Sequence, residues 1–349
     1  MLLGLGAGAM FLGASAAWAD EGVSLLAQPT LETAALDQAA GTAKPSAAES
    51  ARSNSAVNPN AKFTCSNKRW HDDPEVFWPG FLNGLRGFEQ FYNPIGNPIY
   101  FETPFNNTGA RFLYLHHTFD ENTPLAGGHA DIFALQARVA LTERLGFIAV
   151  KDGYTLLRDT ALGDSDGWND IAAGLKYAFY VDRENELVAT GGLRYQFRAG
   201  DGGVLQGFTH ELSPFVSFAK GWNSIHFLGD LGVRVPLSSD DGNTSFYWDL
   251  HGDFEIFPEA LPGFAPVFEL HGLHYLTDGS RFALPIGGLD YTQLGSNDVA
   301  GTGVVWAGVG ARWKFTPHVS VGCTYERALT STSGDLMKDR VTVDVELTW

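Results

Sequence analysis

From residue 340 to residue 349 apolar and polar positions alternate without exception: Val341, Val343, Val345, Leu347 and Trp349 are interleaved with Arg340, Thr342, Asp344, Glu346 and Thr348. A period of two marks a β-strand, whose successive side chains point to opposite faces. The same alternation recurs upstream. Phe112 to Phe119 is its first and least regular instance. Phe133, Leu135, Ala137, Val139 and Leu141 then alternate with Ala134, Gln136 and Arg138, and a further strand lies around 146–154. Ile171, Ala173, Leu175, Tyr177 and Phe179 oppose Asp170, Gly174 and Lys176, and Leu187, Ala189, Leu193, Tyr195 and Phe197 oppose Thr190, Arg194 and Gln196.

The second half repeats the scheme. Phe208 to Ala219 reads as a strand in which Pro214 predicts a bulge or irregularity, because proline cannot donate to a ladder. Ile225, Phe227, Leu231, Val233 and Val235 oppose His226, Asp230 and Arg234. Phe246, Trp248, Leu250, Phe254 and Ile256 oppose Asp249, His251, Asp253 and Glu255, and Phe268 and Leu270 alternate with Glu269 and His271. Val305 to Phe315 and Val319 to Tyr325 complete the set before the terminal strand. Longer connections at 155–168, 198–207, 277–300 and 330–338 take turns with tight ones such as Asp182-Arg183-Glu184-Asn185 and Gly221-Trp222-Asn223. The pattern predicts an all-β chain: an antiparallel, up-and-down transmembrane β-barrel of about 12 strands, within a range of 10–14, with short turns on one side and longer loops on the other.

Alternation alone also suits a soluble sheet with one dry face. Three features favour hydrocarbon outside and water inside. Aromatic residues gather at the ends of the apolar faces (Tyr177, Phe179, Tyr195, Phe197, Phe246, Trp248, Trp313, Phe315, Tyr325 and Trp349), as two interfacial girdles require. Many strands run to about ten residues, the length that crosses a bilayer when tilted. The polar faces mix both charge signs with small residues such as Gly174, Gly308 and Gly310.

Composition agrees. The chain of 349 residues is 44% hydrophobic and 13% aromatic, yet beyond the N-terminal region it has no apolar run near the roughly 18 residues that a spanning helix needs. The net charge of −17 argues against nucleic acid as a partner. Residues 1–19 read as a signal peptide ending in Ala17-Trp18-Ala19, although no basic residue precedes the apolar core. Residues 20–62, rich in Ala and Ser, read as a disordered periplasmic leader. Residues 63–109 carry Trp70, Phe77, Trp78, Phe81, Phe88, Phe91, Tyr92, Tyr100 and Phe101, and form a packed pre-barrel or plug segment, with a turn of amphipathic helix over 81–88. Residues 110–349 are the barrel. Cys65 and Cys323 are far apart in sequence, and nothing in the pattern brings them within bridging distance.

Two short stretches, Asn97-Pro98-Ile99-Tyr100-Phe101-Glu102 and Asp170-Ile171-Ala172-Ala173-Gly174-Leu175-Lys176-Tyr177-Ala178-Phe179, resemble a family of outer-membrane barrels described by analogy with the transporter of the meta-pathway of phenol degradation. The resemblance implies an outer-membrane channel or transporter-like barrel and brings no catalytic residues with it. The final aromatic residue also looks like the C-terminal signal by which the barrel-insertion machinery engages such proteins.

The candidate lumen-lining residues are Arg138, Lys176, Arg194, His226, Asp230, Arg234, Asp249, His251, Asp253, Glu255, Glu269, His271, Arg312, Glu326, Arg340, Asp344 and Glu346. Rings of such side chains set solute selectivity, or else fill a narrow barrel with salt bridges. The sequence therefore points to a pore for small solutes, with outer-membrane lipid as its surroundings. The alternative is a closed structural or adhesive surface barrel whose loop 277–300 meets partners. A hydrolase built on Asp249-x-His251-x-Asp253 is the weakest reading, since Ser224-x-His226 runs opposite to the serine–histidine order of outer-membrane lipases. No cofactor is expected. His251 and His271 lack the spacing of a metal signature, and Asp164, Asp166 and Asp170 read as solvated loop charge rather than a calcium site.

Overall fold

The computed structural model describes residues 80–330 and 336–349. The expected signal peptide, leader and first part of the pre-barrel segment lie outside the described residues. The strand segments are β1 (Gly109–Phe119), β2 (His129–Ala140), β3 (Leu145–Lys151), β4 (Tyr154–Arg158), β5 (Ser165–Trp168), β6 (Ile171–Asp182), β7 (Leu187–Phe197), β8 (Glu211–Trp222), β9 (Ile225–Pro236), β10 (Ser245–Phe254), β11 (Phe264–Tyr275), β12 (Gly303–Thr316), β13 (Val319–Ala328) and β14 (Met337–Thr348). Every pairing is antiparallel between neighbours in the wall, and β1 pairs with both β2 and β14, which closes the sheet on itself. Since β3 and β4 both pair with β2, and β6 and β5 pair with β3 and β4 in turn, these segments are two interrupted wall strands. The wall is thus a closed antiparallel barrel of twelve strands.

The interruption corrects the sequence reading of 155–168 as loop. The two wall strands continue through β4 and β5, and only 159–164 turns. The break falls at Asp152-Gly153, where Gly153 has φ +105° and a Cβ would strike the Phe133 carbonyl. Only glycine adopts such a conformation cheaply. The Pro214 expectation is met at the level of pairing. The β8–β9 ladder runs from Leu212↔Val235 to Phe215↔Gly232 and skips Ser213 and Pro214, as a residue without an N–H dictates. β8 itself begins at Glu211, three residues later than the pattern suggested.

Side chains sort by parity. Leu175, Leu193, Phe268, Leu270, Val309 and Val345 are exposed on the outer face, while Lys176, Arg194, Glu269, Arg312, Asp344 and Arg340 are buried on the inner one. A sheet with an exposed apolar outside is stable only against hydrocarbon, and a closed ladder leaves no backbone group unpaired there. One sector departs from the simple rule of wet residues inside. Leu113, Leu115, Ile132, Ile148, Val150 and Leu157 point inward from β1–β4 and pack with Ile286, Leu289 and Leu294 of the long connection between β11 and β12. Part of the interior is therefore an ordinary dry core.

Within that connection, residues 286–296 are buried and folded back into the barrel mouth, while 276–278, 280, 283, 285, 298 and 300 are exposed. Residues 91–106 fill the interior from the other end, with 81–83 exposed at its mouth. No helix forms over 81–88, because Leu82 (φ +61°), Gly84 (φ +64°) and Gly87 (φ +99°) all take left-handed conformations. Leu85 and Phe88 are buried and Leu82 is exposed, so no shared amphipathic face exists. Cys323 is free and exposed on the outer face of β13.

Candidate functional site in the barrel lumen

Residues 89–106 enter the lumen at the end where β14 finishes, run inward, and return to start β1. Wall side chains hold this loop by its backbone. Lys314 donates to the Glu89 carbonyl (2.7 Å), Arg312 to the Asn93 carbonyl (2.9 Å) and Arg194 to the Tyr100 carbonyl (2.8 Å). Glu269 accepts from the backbone N–H groups of Ile95 (2.8 Å) and Gly96 (2.7 Å). Asn97 Nδ2 donates to Asp249 (2.7 Å), and Gln136 Nε2 to the Pro98 carbonyl (2.6 Å). At Gly96 any side chain forces its neighbours to shift: a Cβ would lie 2.6 Å from Glu269 Oε2 and 2.8 Å from both Glu326 Oε1 and His271 Nε2.

Glu102 is the loop's one buried carboxylate. Arg138 donates to both of its oxygens (2.9 Å each), and Lys176 Nζ donates to Oε1 (2.7 Å). Burial alone would raise this carboxyl, but the two cations outweigh it and hold it well below the usual glutamate value. Lys176 also donates to the carbonyls of Thr103 (2.8 Å) and Phe105 (2.6 Å).

The outer connection enters from the opposite end. Asp290 accepts from Arg340 (2.6 Å), the Leu289 carbonyl from Arg234 (3.2 Å), and Gln206 donates to the Tyr291 carbonyl (2.9 Å). Glu211, at the start of β8, joins the two inserts. It accepts from Tyr100 (3.0 Å), from Gln293 (2.6 Å) and from Arg234 (3.1 Å).

Between them runs a chain of acids and imidazoles across β9–β14. Asp253 lies 2.6 Å from His226 Nδ1 and 3.0 Å from His251 Nε2, and Glu269 lies 2.9 Å from His251 Nδ1. Asp249 lies 2.7 Å from His271 Nδ1, and Glu326 is 3.5 Å from His271 Nε2 and 2.6 Å from Arg340. Asp344 binds both Arg111 and Arg312, the latter at 2.7 Å, and Glu346 lies 3.3 Å from Arg312.

Sixteen of the seventeen candidates — Arg138, Lys176, Arg194, His226, Asp230, Arg234, Asp249, His251, Asp253, Glu269, His271, Arg312, Glu326, Arg340, Asp344 and Glu346 — are buried in the interior. Glu255 is the exception. It falls one residue past the end of β10 and accepts from the Gly263 N–H (2.9 Å) in the turn to β11. Arg111, Glu211 and Lys151 belong to the same interior and escaped the sequence reading, as did Glu102 and Asn97. Parity would have found Glu211; Lys151 turns inward only because the register shifts between Ala149 and Lys151, and no local pattern marks Glu102. The three loop aspartates do not converge. Asp170 accepts from Ala199, Gly200 and Gly207, Asp164 from Asp159, and Asp166 from Tyr154. Among the described residues, no group of His, Cys, Asp and Glu side chains has metal-site geometry.

A closed antiparallel wall, apolar without and charged within, is the architecture of an outer-membrane β-barrel channel. A solved structure agrees at the level of fold. The COG4313 outer membrane channel from Pseudomonas putida F1 matches with a TM-score of 0.51 at 13% identity, over 74% of this chain and 100% of that chain. A KdgM porin matches with a TM-score of 0.40 at 11% identity, over 68% of this chain and 99% of that one. No family model matches the sequence, and neither does any curated protein.

Proposed function

We propose that the chain is an outer-membrane pore or transporter-like barrel that passes small solutes when its inserted segments are displaced. One observation carries this reading. The wall closes through β1–β14 and β1–β2, and neither 89–106 nor 286–296 supplies a rung of that ladder. The inserts are held by side chains alone, so they leave without opening the wall. The groups that 89–106 uncovers include the charged, readily hydrated Arg138, Lys176, Glu269 and Arg312, whereas 286–296 covers an apolar sector. The fold shared with a channel of that name supports the same reading. Outward Tyr177, Phe179, Trp313, Phe315 and Trp349 cluster toward the end where β14 finishes, and Tyr195, Phe197, Phe246, Trp248 and Tyr325 toward the other, which suits two lipid interfaces.

The filled interior favours a second reading, a closed structural barrel, because Arg234, Arg312 and Arg340 are almost wholly excluded from solvent. Liposome swelling separates the two. The Leu85 N–H donates to the Asn106 carbonyl (2.6 Å), so the two arms of the loop already meet at its base and 89–104 can be replaced by a short Gly-Ser join. A pore swells liposomes in a small sugar faster after this deletion. A structural barrel swells them in neither form.

A further inference from the structure

We infer that Arg138 and Lys176 form a binding site for a small organic carboxylate, which Glu102 of the inserted loop occupies in place of a solute. This inference rests on the pore reading, since it concerns the state in which the loop has moved.

The two cations differ from the others in the lumen by where their acids come from. Arg111 and Arg312 pair with Asp344, Arg340 with Glu326, and Arg234 with Glu211, all carried by wall strands. Those pairs survive when the loop leaves. Among the described residues, Arg138 and Lys176 draw every hydrogen-bond partner from 102–105: the Glu102 carboxylate and the carbonyls of Thr103 and Phe105. Displacement therefore strips two buried cations of their hydrogen-bonded counter-charge at once. A charge left unpaired in such a place is strongly disfavoured, so the vacated position selects an anion.

The geometry specifies which anion. Arg138 presents Nε and Nη2 side by side, each 2.9 Å from a different Glu102 oxygen, the fork that matches a planar carboxylate. Lys176 adds a point charge from two wall strands away, 2.7 Å from one of those oxygens. A solute carboxylate competes with Glu102 for the same donors. Since it binds only the displaced state, it raises the population of that state in proportion to occupancy.

Chemical rescue tests this. Full-length Glu102→Ala is compared with wild type in planar bilayers and in thermal unfolding, with propionate or neutral propionamide added at equal ionic strength. The site predicts that Glu102→Ala conducts at least twofold more than wild type. Tens of millimolar propionate then lowers that current and raises the unfolding temperature by several degrees. Propionamide does neither, and adding Arg138→Gln abolishes the propionate effect. In wild type, propionate raises the open probability. If Glu102→Ala does not fold, the 89–104 deletion, which also lacks Glu102, gives the same readouts. Equal responses to propionate and propionamide, or none, overturn the carboxylate site. The pore reading then stands or falls separately on whether the deletion conducts. A silent deletion removes that reading while the thermal rescue still decides the site.

Discussion

Tyr100 and Gln293 donate to opposite oxygens of one buried carboxylate, Glu211, at 3.0 and 2.6 Å. Tyr100 reaches it from one end of the barrel and Gln293 from the other. The two inserts are therefore locked at a shared point on the wall, and Arg234 completes the arrangement from β9.

Glu211→Gln removes the charge that Arg234 faces. Breaking one side of a buried ion pair costs about 3–5 kcal/mol. The expected outcome is a clear loss of resistance to thermal or denaturant unfolding, together with a raised and noisier bilayer current as both inserts loosen. An unchanged unfolding midpoint would contradict the lock.

Gly96→Val tests the close approach of the loop to the acid–imidazole chain. The new side chain collides with Glu269, Glu326 and His271, none of which can retreat without losing a partner. The loop is expected to be driven out while the wall stays intact. Conductance rises, and the folded form keeps its heat-modifiable mobility on a denaturing gel. A variant that loses the barrel itself would place the loop in the folding core rather than in a gate.

Leu175→Arg probes the outer face. Leu175 is 49% exposed, midway along β6, and its neighbour Lys176 points inward. An arginine facing the middle of a bilayer costs about 2–4 kcal/mol in barrels of this kind. Insertion into lipid vesicles should fall, while Leu175→Ile inserts as wild type does. Equal insertion of both variants would mean that this face does not meet hydrocarbon.

Acidification should leave the loop seated through most of the accessible range. The Glu102 carboxyl is held below the usual value of a free glutamate, about 4.3. A depressed carboxyl contributes stability that is complete above the free value and is lost as pH falls further toward its own. The part of the seal due to Glu102 is thus constant from pH 7 to pH 5 and weakens in stronger acid. Comparing the pH dependence of current in wild type and Glu102→Gln isolates it; a difference between the two that changes across pH 5–7 would be inconsistent.

The parts legible in the sequence were those where one physical demand acted alone. On β14 one face meets the outside and the other a charged interior, so Val341, Val343 and Val345 alternate cleanly with Thr342, Asp344 and Glu346. On β1 two demands overlap. Leu113 and Leu115 point inward onto Ile286 and Leu289 while Phe112 points out, and an apolar residue on both faces erases the period. β4 and β5 were hidden for another reason. The turn residues Asp152-Gly153 and Asn169-Asp170 interrupt wall strands without ending them. For the site, strand parity identified most of the buried charges. It could not supply Glu102, whose partners Arg138 and Lys176 lie 36 and 74 residues away on strands that the loop meets only in three dimensions.

The most direct test of a gated pore is single-channel conductance of the intact protein beside the 89–104 deletion, in the same bilayer and salt. The account predicts a small or intermittent current from the intact chain and a steady current several-fold larger from the deletion. A folded, inserted deletion that carries no current above the lipid background would contradict it.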